Sequence, residues 1–162
     1  MPSSIAHGLA ALALGALVYP AERARLYGVA AAGAVLLDID AIGRPFGLGD
    51  VGWLGGHRAL THSVPFAVGL AVLAVAAMCR GDHWRGRRIG VWAFFTLAFA
   101  LHGVLDAFTT YGEGVMFLAP FSMWRYKSPW QPIHGVVPEI VAIWVPALGI
   151  IWRASRAKAQ HT

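Results

Sequence analysis

Residues 89–108 run through one unbroken apolar stretch in which the only charged side chain is Asp106 and the only other ionisable one is His102. As a helix rising ~1.5 Å per residue, this stretch matches the ~30 Å hydrocarbon core of a bilayer. Four further apolar runs, 5–19, 26–37, 64–79 and 136–152, are near or below the usual lower limit for crossing. The composition agrees: 57% of the 162 residues are hydrophobic and only 13% charged, about half the ~25% charged fraction of a soluble domain. The expectation is an all-α chain: one domain, residues 1–162, built as a polytopic membrane bundle of about five helices. The run 26–37 is the shortest and is rich in alanine and glycine. Small side chains let helices approach closely, so it is expected inside the bundle.

Charge orients such a bundle. If all five runs span, Arg23, Arg25, Arg80, Arg85, Arg87, Arg88, Arg153, Arg156 and Lys158 share one side, against Arg44, Arg58, Arg125 and Lys127 on the other. The side richer in Lys and Arg faces the cytoplasm, which places the N-terminus outside. The formal charge of +5 thus belongs to short loops between apolar runs, a pattern of membrane surfaces rather than of a phosphate-tracking groove, and no nucleic-acid partner is expected. Met1 to Gly8 carry no Lys or Arg, so the first run lacks the positive flank of a secretion signal and reads as a retained helix. The single cysteine, Cys79, rules out an intrachain disulfide and a Cys-rich zinc site. Residues 47–52 literally match a dinucleotide-binding glycine pattern, but no strand precedes and no helix follows, so it carries nothing. Trp53, Trp124, Tyr126 and Trp130 lie in the outer segments and suit the headgroup level of a bilayer.

With this topology, every run brings His, Asp or Glu to the outer face. His7 lies near the start of the first; Asp38 and Asp40 end the second; His57 and His62 precede the third. His102 and Asp106 sit four residues apart, on one helix face, at the end of the fourth, and His134 and Glu139 open the fifth. The opposite side has Glu22, Asp82 and His83 in loops, with His161 in the tail. Ionisable groups in apolar surroundings need partners, and imidazoles with carboxylates build zinc, manganese or iron sites.

The set Ala6-His7-Gly8, Leu37-Asp38-Ile39-Asp40, His57-Arg58-Ala59-Leu60-Thr61-His62-Ser63, His102-Gly103-Val104-Leu105-Asp106 and Ala119-Pro120-Phe121-Ser122 resembles the LexA-regulated inner-membrane metal-dependent hydrolase family, in order and over most of the chain. The resemblance implies a helical inner-membrane hydrolase with one to three divalent ions, Zn2+ first and Mn2+ or Fe2+ as alternatives. It implies metal positions at His7, Asp40, His57, His62, His102 and Asp106. Ala6 and Leu37 depart from the family's usual Thr and Pro without removing a ligand. More distantly, His-x-x-x-Asp with a later Glu is similar to the zinc-dependent phospholipase C and P1 nuclease fold, which favours phosphoesters.

The function expected is metal-assisted hydrolysis at the extracytoplasmic face. Glu139 or Asp38 would take the proton. Arg58, with Arg125, would neutralise phosphate charge, while Lys127 snorkels to headgroups. A site at this depth suits a membrane lipid or lipid-linked substrate. The alternative is a membrane metal-binding or transport protein without hydrolytic activity. Transport would need polar residues through the bundle, yet the inner halves of the runs are apolar. A structural site would have every coordination position filled by protein. No His-Glu-x-x-His is present, which argues against proteolysis.

Overall fold

The computed structural model describes residues 3–19, 24–42, 46 and 56–159; residues 47–52, Trp53, Glu22, Arg23, Arg44, His161 and the Lys158 side chain lie outside the described residues. Five helices account for the fold: α1 (Ser4–Val18), α2 (Ala24–Leu36), α3 (Val64–Met78), α4 (Arg88–Ala107) and α5. The last is a rod in three parts, Val136–Glu139, a π turn Ile140–Trp144 and Val145–Ala159. Among the described residues there is no strand, only isolated bridges pairing Thr109 with Ile133 and Val115 with Tyr126.

Local chemistry sets the helix ends. Ser3 caps α1 by accepting from the Ala6 N–H at 3.2 Å, and Ser63 caps α3 by accepting from the Phe66 N–H at 3.2 Å. Pro65 and Pro138 sit in first turns, where a missing N–H leaves no bond unmade. Pro146 lies inside α5, where it removes a rung of the ladder. The π turn directly before it is the distortion such a gap produces.

The helices alternate in direction. At one end Ser4 donates to Asp38 at 3.1 Å and Ser3 meets Glu139, joining the start of α1 to the end of α2 and the start of α5. At the other end the Tyr27 hydroxyl donates to the Tyr19 carbonyl, and Tyr19 stands edge-on to Phe94. The main core lies between: Val91, Phe94, Phe95 and Phe99 of α4 fill the space left by Ala11, Ala30, Ala34, Ala67 and Ala71 of the other helices. Gly33 is required here, because the Phe99 ring occupies the place of any Cβ.

The expectation that residues 26–37 lie inside the bundle is not met. Leu26, Ala30, Ala34 and Leu37 form a buried stripe at helical spacing, but Gly28, Ala32, Val35 and Leu36 are exposed. Small side chains bring one face of α2 close to its neighbours; they do not bring a layer over the other face. Among the described residues, two segments are long and apolar enough to cross a membrane, Arg88–Ala107 and Val136–Ala157. Both carry exposed apolar residues, among them Leu97, Val104, Val141, Val145 and Leu148, a surface that suits lipid better than water.

Candidate metal centre

All the elements that converge at the α1 N-terminal end deliver an imidazole or a carboxylate, and most of these meet. From α4 come His102 and Asp106, one turn apart, with Nε2 and Oδ2 separated by 3.9 Å. From α1 comes His7, its ring stacked on His102 at 3.6 Å between centroids. The 3₁₀ turn Leu37–Ala41 that ends α2 supplies Asp38 and Asp40, and the segment before α3 supplies His57 and His62. Gly103, between the two α4 groups, makes the approach possible: a Cβ there would lie 2.6 Å from the His62 carbonyl oxygen.

Hydrogen bonds fix the two central imidazoles. Nδ1 of His102 lies 2.7 Å from the Ala34 carbonyl oxygen, which can only accept, so that nitrogen carries the proton. The Thr61 hydroxyl donates to Asp40 Oδ2 at 2.6 Å, leaving its own lone pair to accept from His62 Nδ1 at 2.9 Å; Asp40 Oδ2 is also 3.2 Å from that nitrogen. Both Nδ1 atoms are therefore donors, and in the neutral rings both Nε2 atoms present lone pairs. Those Nε2 atoms face each other at 2.9 Å. Two lone pairs at that distance require a cation between them, either a proton or a metal.

The carboxylates complete that demand. Asp106 Oδ2 is 3.2 Å from His62 Nε2, and Asp38 Oδ1 is 3.7 Å from His62 Nε2 and 3.3 Å from His102 Nε2. Both oxygens are buried without a hydrogen-bond donor, as are both nitrogens of His7. Five of the six separations among the four donor atoms, all but that between the two carboxylates, run from 2.9 to 3.9 Å, bracketing the ~3.4 Å edge of a tetrahedron with ~2.1 Å bonds. The residues therefore fit a divalent ion. His7, whose Nε2 is 3.7 Å from Asp106 Oδ1, adds a further donor beside it.

Electrostatics point the same way. Burial alone would push the carboxyls of Asp38 and Asp40 up. The imidazoles of His102 and His62 beside the first, and hydrogen bonds from His57 and His62 on the second, hold both well below the usual carboxylate range. Burial would push His62 down, but Asp106, Asp38 and Asp40 around it raise it to about 10. The pocket is built to hold positive charge.

The remaining expected site residues occupy distinct places. Asp40 and His57, expected at metal positions, form with His62 a second buried group close enough to hold an ion. Asp40 is fully buried, and beyond Thr61 and His62 it accepts from the Arg58 backbone N–H at 3.2 Å and meets His57 Nδ1 at 2.8 Å. Arg58, expected to bind phosphate, is buried in a left-handed conformation (φ 64°) with its guanidinium donating to Asp106 Oδ1 at 3.0 Å, to Thr109 at 3.2 Å and to the Tyr111 carbonyl. Glu139 meets none of the cluster in its hydrogen bonds; it accepts from the Ser3 N–H, the Ser3 hydroxyl and the Trp144 indole. His134 is exposed and contacts its neighbour Pro132. Arg125 reaches the His57 and Gly114 carbonyls, and Lys127 the Thr110 and Gly112 carbonyls. Sequence reasoning missed Ser4, Thr61 and Thr109, which hold Asp38, Asp40 and Arg58. Thr61 lies within a quoted motif; the other two carry no local signal.

Described residues that form helices and no strand, with apolar flanks and a buried His–Asp cluster at a bundle end, define a class, that of helical membrane proteins with a polar site at one end. Within that class the chain belongs to the YdjM inner membrane protein family, whose profile matches residues 1–161. It is similar to the inner membrane protein YbcI of Escherichia coli (strain K12), 32% identical over 176 residues that cover 94% of this chain and 98% of that one. No solved structure matches the chain.

Proposed function

We propose that this protein is a multi-pass inner-membrane hydrolase whose site faces the extracytoplasmic side and cleaves a phosphoester of a lipid or lipid-linked substrate. The observation that carries the reading is the pair of facing imidazole nitrogens at 2.9 Å, ringed by the donorless oxygens of Asp38 and Asp106. His62, His102 and Asp106 would hold a divalent ion, with Zn2+ suiting the nitrogen-rich set. When bound, such an ion supplies Lewis acidity and makes water a nucleophile near neutral pH.

The protein's own groups do the rest. Asp40 and the Ala34 carbonyl keep the Nε2 lone pairs of His62 and His102 turned inward. Arg58 holds Asp106 by Oδ1, which leaves Oδ2 for the cluster. Asp38, with 13% of its side chain exposed against none for His62, His102 and Asp106, stands at the mouth, and its access to solvent supports it as the proton acceptor even though its neighbours hold its carboxyl low. Arg125, bound to the His57 carbonyl, is a cation next to the segment that carries the cluster's histidines and suits a phosphate. Phe121, Trp124 and Trp130 lie exposed on the loop between α4 and α5, where aromatic side chains suit the headgroup layer. The basic loop 80–88 at the far end supports the orientation.

Full-length protein in vesicles of phosphatidylethanolamine and phosphatidylglycerol tests this reading through release of phosphorylated headgroup or inorganic phosphate. Activity should disappear with a chelator and return with zinc or manganese. Absence of cleavage of any lipid phosphoester with each ion would refute it. The four-donor fit also favours a second reading, a closed structural or carrier site in which Asp38 is the fourth ligand. Asp38→Asn separates them: a base variant keeps its metal and loses rate, whereas a ligand variant loses its metal.

A further inference from the structure

At the opposite end of the bundle, α3 and α4 diverge around a cavity of about 370 Å³. Val72, Val75, Ala76 and Cys79 line it from α3 and the residue after it, at the spacing of one helix face; Ile89 and Trp92 line it from α4. Arg80 and Arg88 are part of the same lining. Both are exposed; Arg80 spends only its Nε–H, on the Ala76 carbonyl at 3.2 Å, and Arg88 makes no hydrogen bond or ion pair with the described residues. Asp82, the carboxylate of the intervening loop, faces Arg85 at 3.8 Å. Among the described residues, two cations without an anion thus stand over an apolar cleft whose walls Val72 and Ile89 are themselves exposed.

We propose that this cleft is a binding site for an anionic phospholipid of the surrounding membrane, with the phosphate between Arg80 and Arg88 and part of one acyl chain against Val75, Ala76 and Trp92. The charge calls for an anion, and the apolar cavity directly beneath calls for hydrocarbon. A bilayer lipid carries both in one molecule, and basic pockets between membrane helices recognise such headgroups. A free phosphate would satisfy the arginines and leave the cavity without an occupant. The site lies at the other end of α3 and α4 from the His–Asp cluster and stands whether or not that cluster is catalytic.

Native mass spectrometry of the full chain in detergent, offered equal phosphatidylglycerol and phosphatidylcholine, tests the inference. Wild type should retain phosphatidylglycerol at least tenfold over phosphatidylcholine, and 10 mM inorganic phosphate should not displace it. Arg80→Gln with Arg88→Gln should abolish the preference, while Arg85→Gln with Arg153→Gln, which removes the same charge from this end, should keep it. Ala76→Phe, which leaves both arginines and fills the cleft, should reduce retention comparably at unchanged helicity by circular dichroism. Equal retention of the two lipids by wild type, equal loss in both double-arginine variants, displacement by inorganic phosphate, or full retention in Ala76→Phe would each overturn the proposal.

Discussion

Asp40→Asn is the substitution that most sharply separates a ligand from a residue that orients ligands. Its carboxylate meets the Arg58 N–H, the Thr61 hydroxyl, His62 Nδ1 and His57 Nδ1 at 2.6 to 3.2 Å. Asparagine keeps the volume and, with its carbonyl turned to Thr61, Arg58 and His62, keeps an acceptor for three of the four. It loses the charge, and charge-assisted bonds are roughly twice as strong as neutral ones. Its amide also faces His57 with a donor. The expected loss of stability is about 1–3 kcal/mol. The expected loss of zinc affinity is ~10–100-fold, the scale for a group that orients a ligating imidazole, or about 1.4–2.7 kcal/mol. Competition with a chromophoric chelator reads the affinity, and thermal unfolding of the metal-free protein reads the fold. Affinity within twofold of wild type would show that Asp40 does not set the His62 orientation. Complete loss of metal from a folded protein would make Asp40 a ligand.

Gly103→Ala would place a methyl 2.6 Å from the His62 carbonyl; spreading α4 from the segment before α3 should cost about 1–3 kcal/mol in stability and lower metal affinity, while Gly69→Ala, which meets nothing within 4 Å, should leave both intact. In the vesicle assay Asp38→Asn should lose roughly 100-fold or more in rate, the scale of general base catalysis, whereas Glu139→Gln should act on the junction of α1 with α5 and lower the melting temperature at near-normal rate. Metal affinity should fall as the pH drops from about 10 downward, because His62, raised to about 10, must shed its proton to bind; titration at pH 8 and pH 5.5 checks it. Single cysteines placed in the 80–88 loop of a Cys79→Ala background should label only from the cytoplasmic side, and labelling from outside the cell would invert the orientation.

The meeting of charges at one end was legible because it depends on parity. Runs that alternate in direction put the start of the first, third and fifth beside the end of the second and fourth, and His7, Asp38, His62, His102 and Asp106 sit at those termini. Which partners each group would find was not legible. Asp38 and Asp40 look alike in sequence, yet two residues apart on a 3₁₀ turn they point ~240° apart, so one opens to the cluster's mouth and the other is sealed among Thr61, His57 and His62. Arg58 read as a free cation because nothing local shows that a left-handed residue will drive its guanidinium onto Asp106 and Thr109. Glu139 read as a base because it opens the last helix at the correct end; only packing shows that the capping serine of α1 claims it. The exposure of one face of α2 was hidden for a simpler reason: an alanine-rich helix with no polar side has no sequence mark of which face is outside.

Anomalous scattering at the zinc edge, from crystals of the full chain prepared with equimolar zinc, tests the central claim most directly. A peak is expected between His62 Nε2 and His102 Nε2, with Asp106 Oδ2 also within a bonding distance of ~2.0–2.2 Å. A peak confined to His83 or His134, or none at all with the protein folded, would contradict the claim that this cluster is a metal centre.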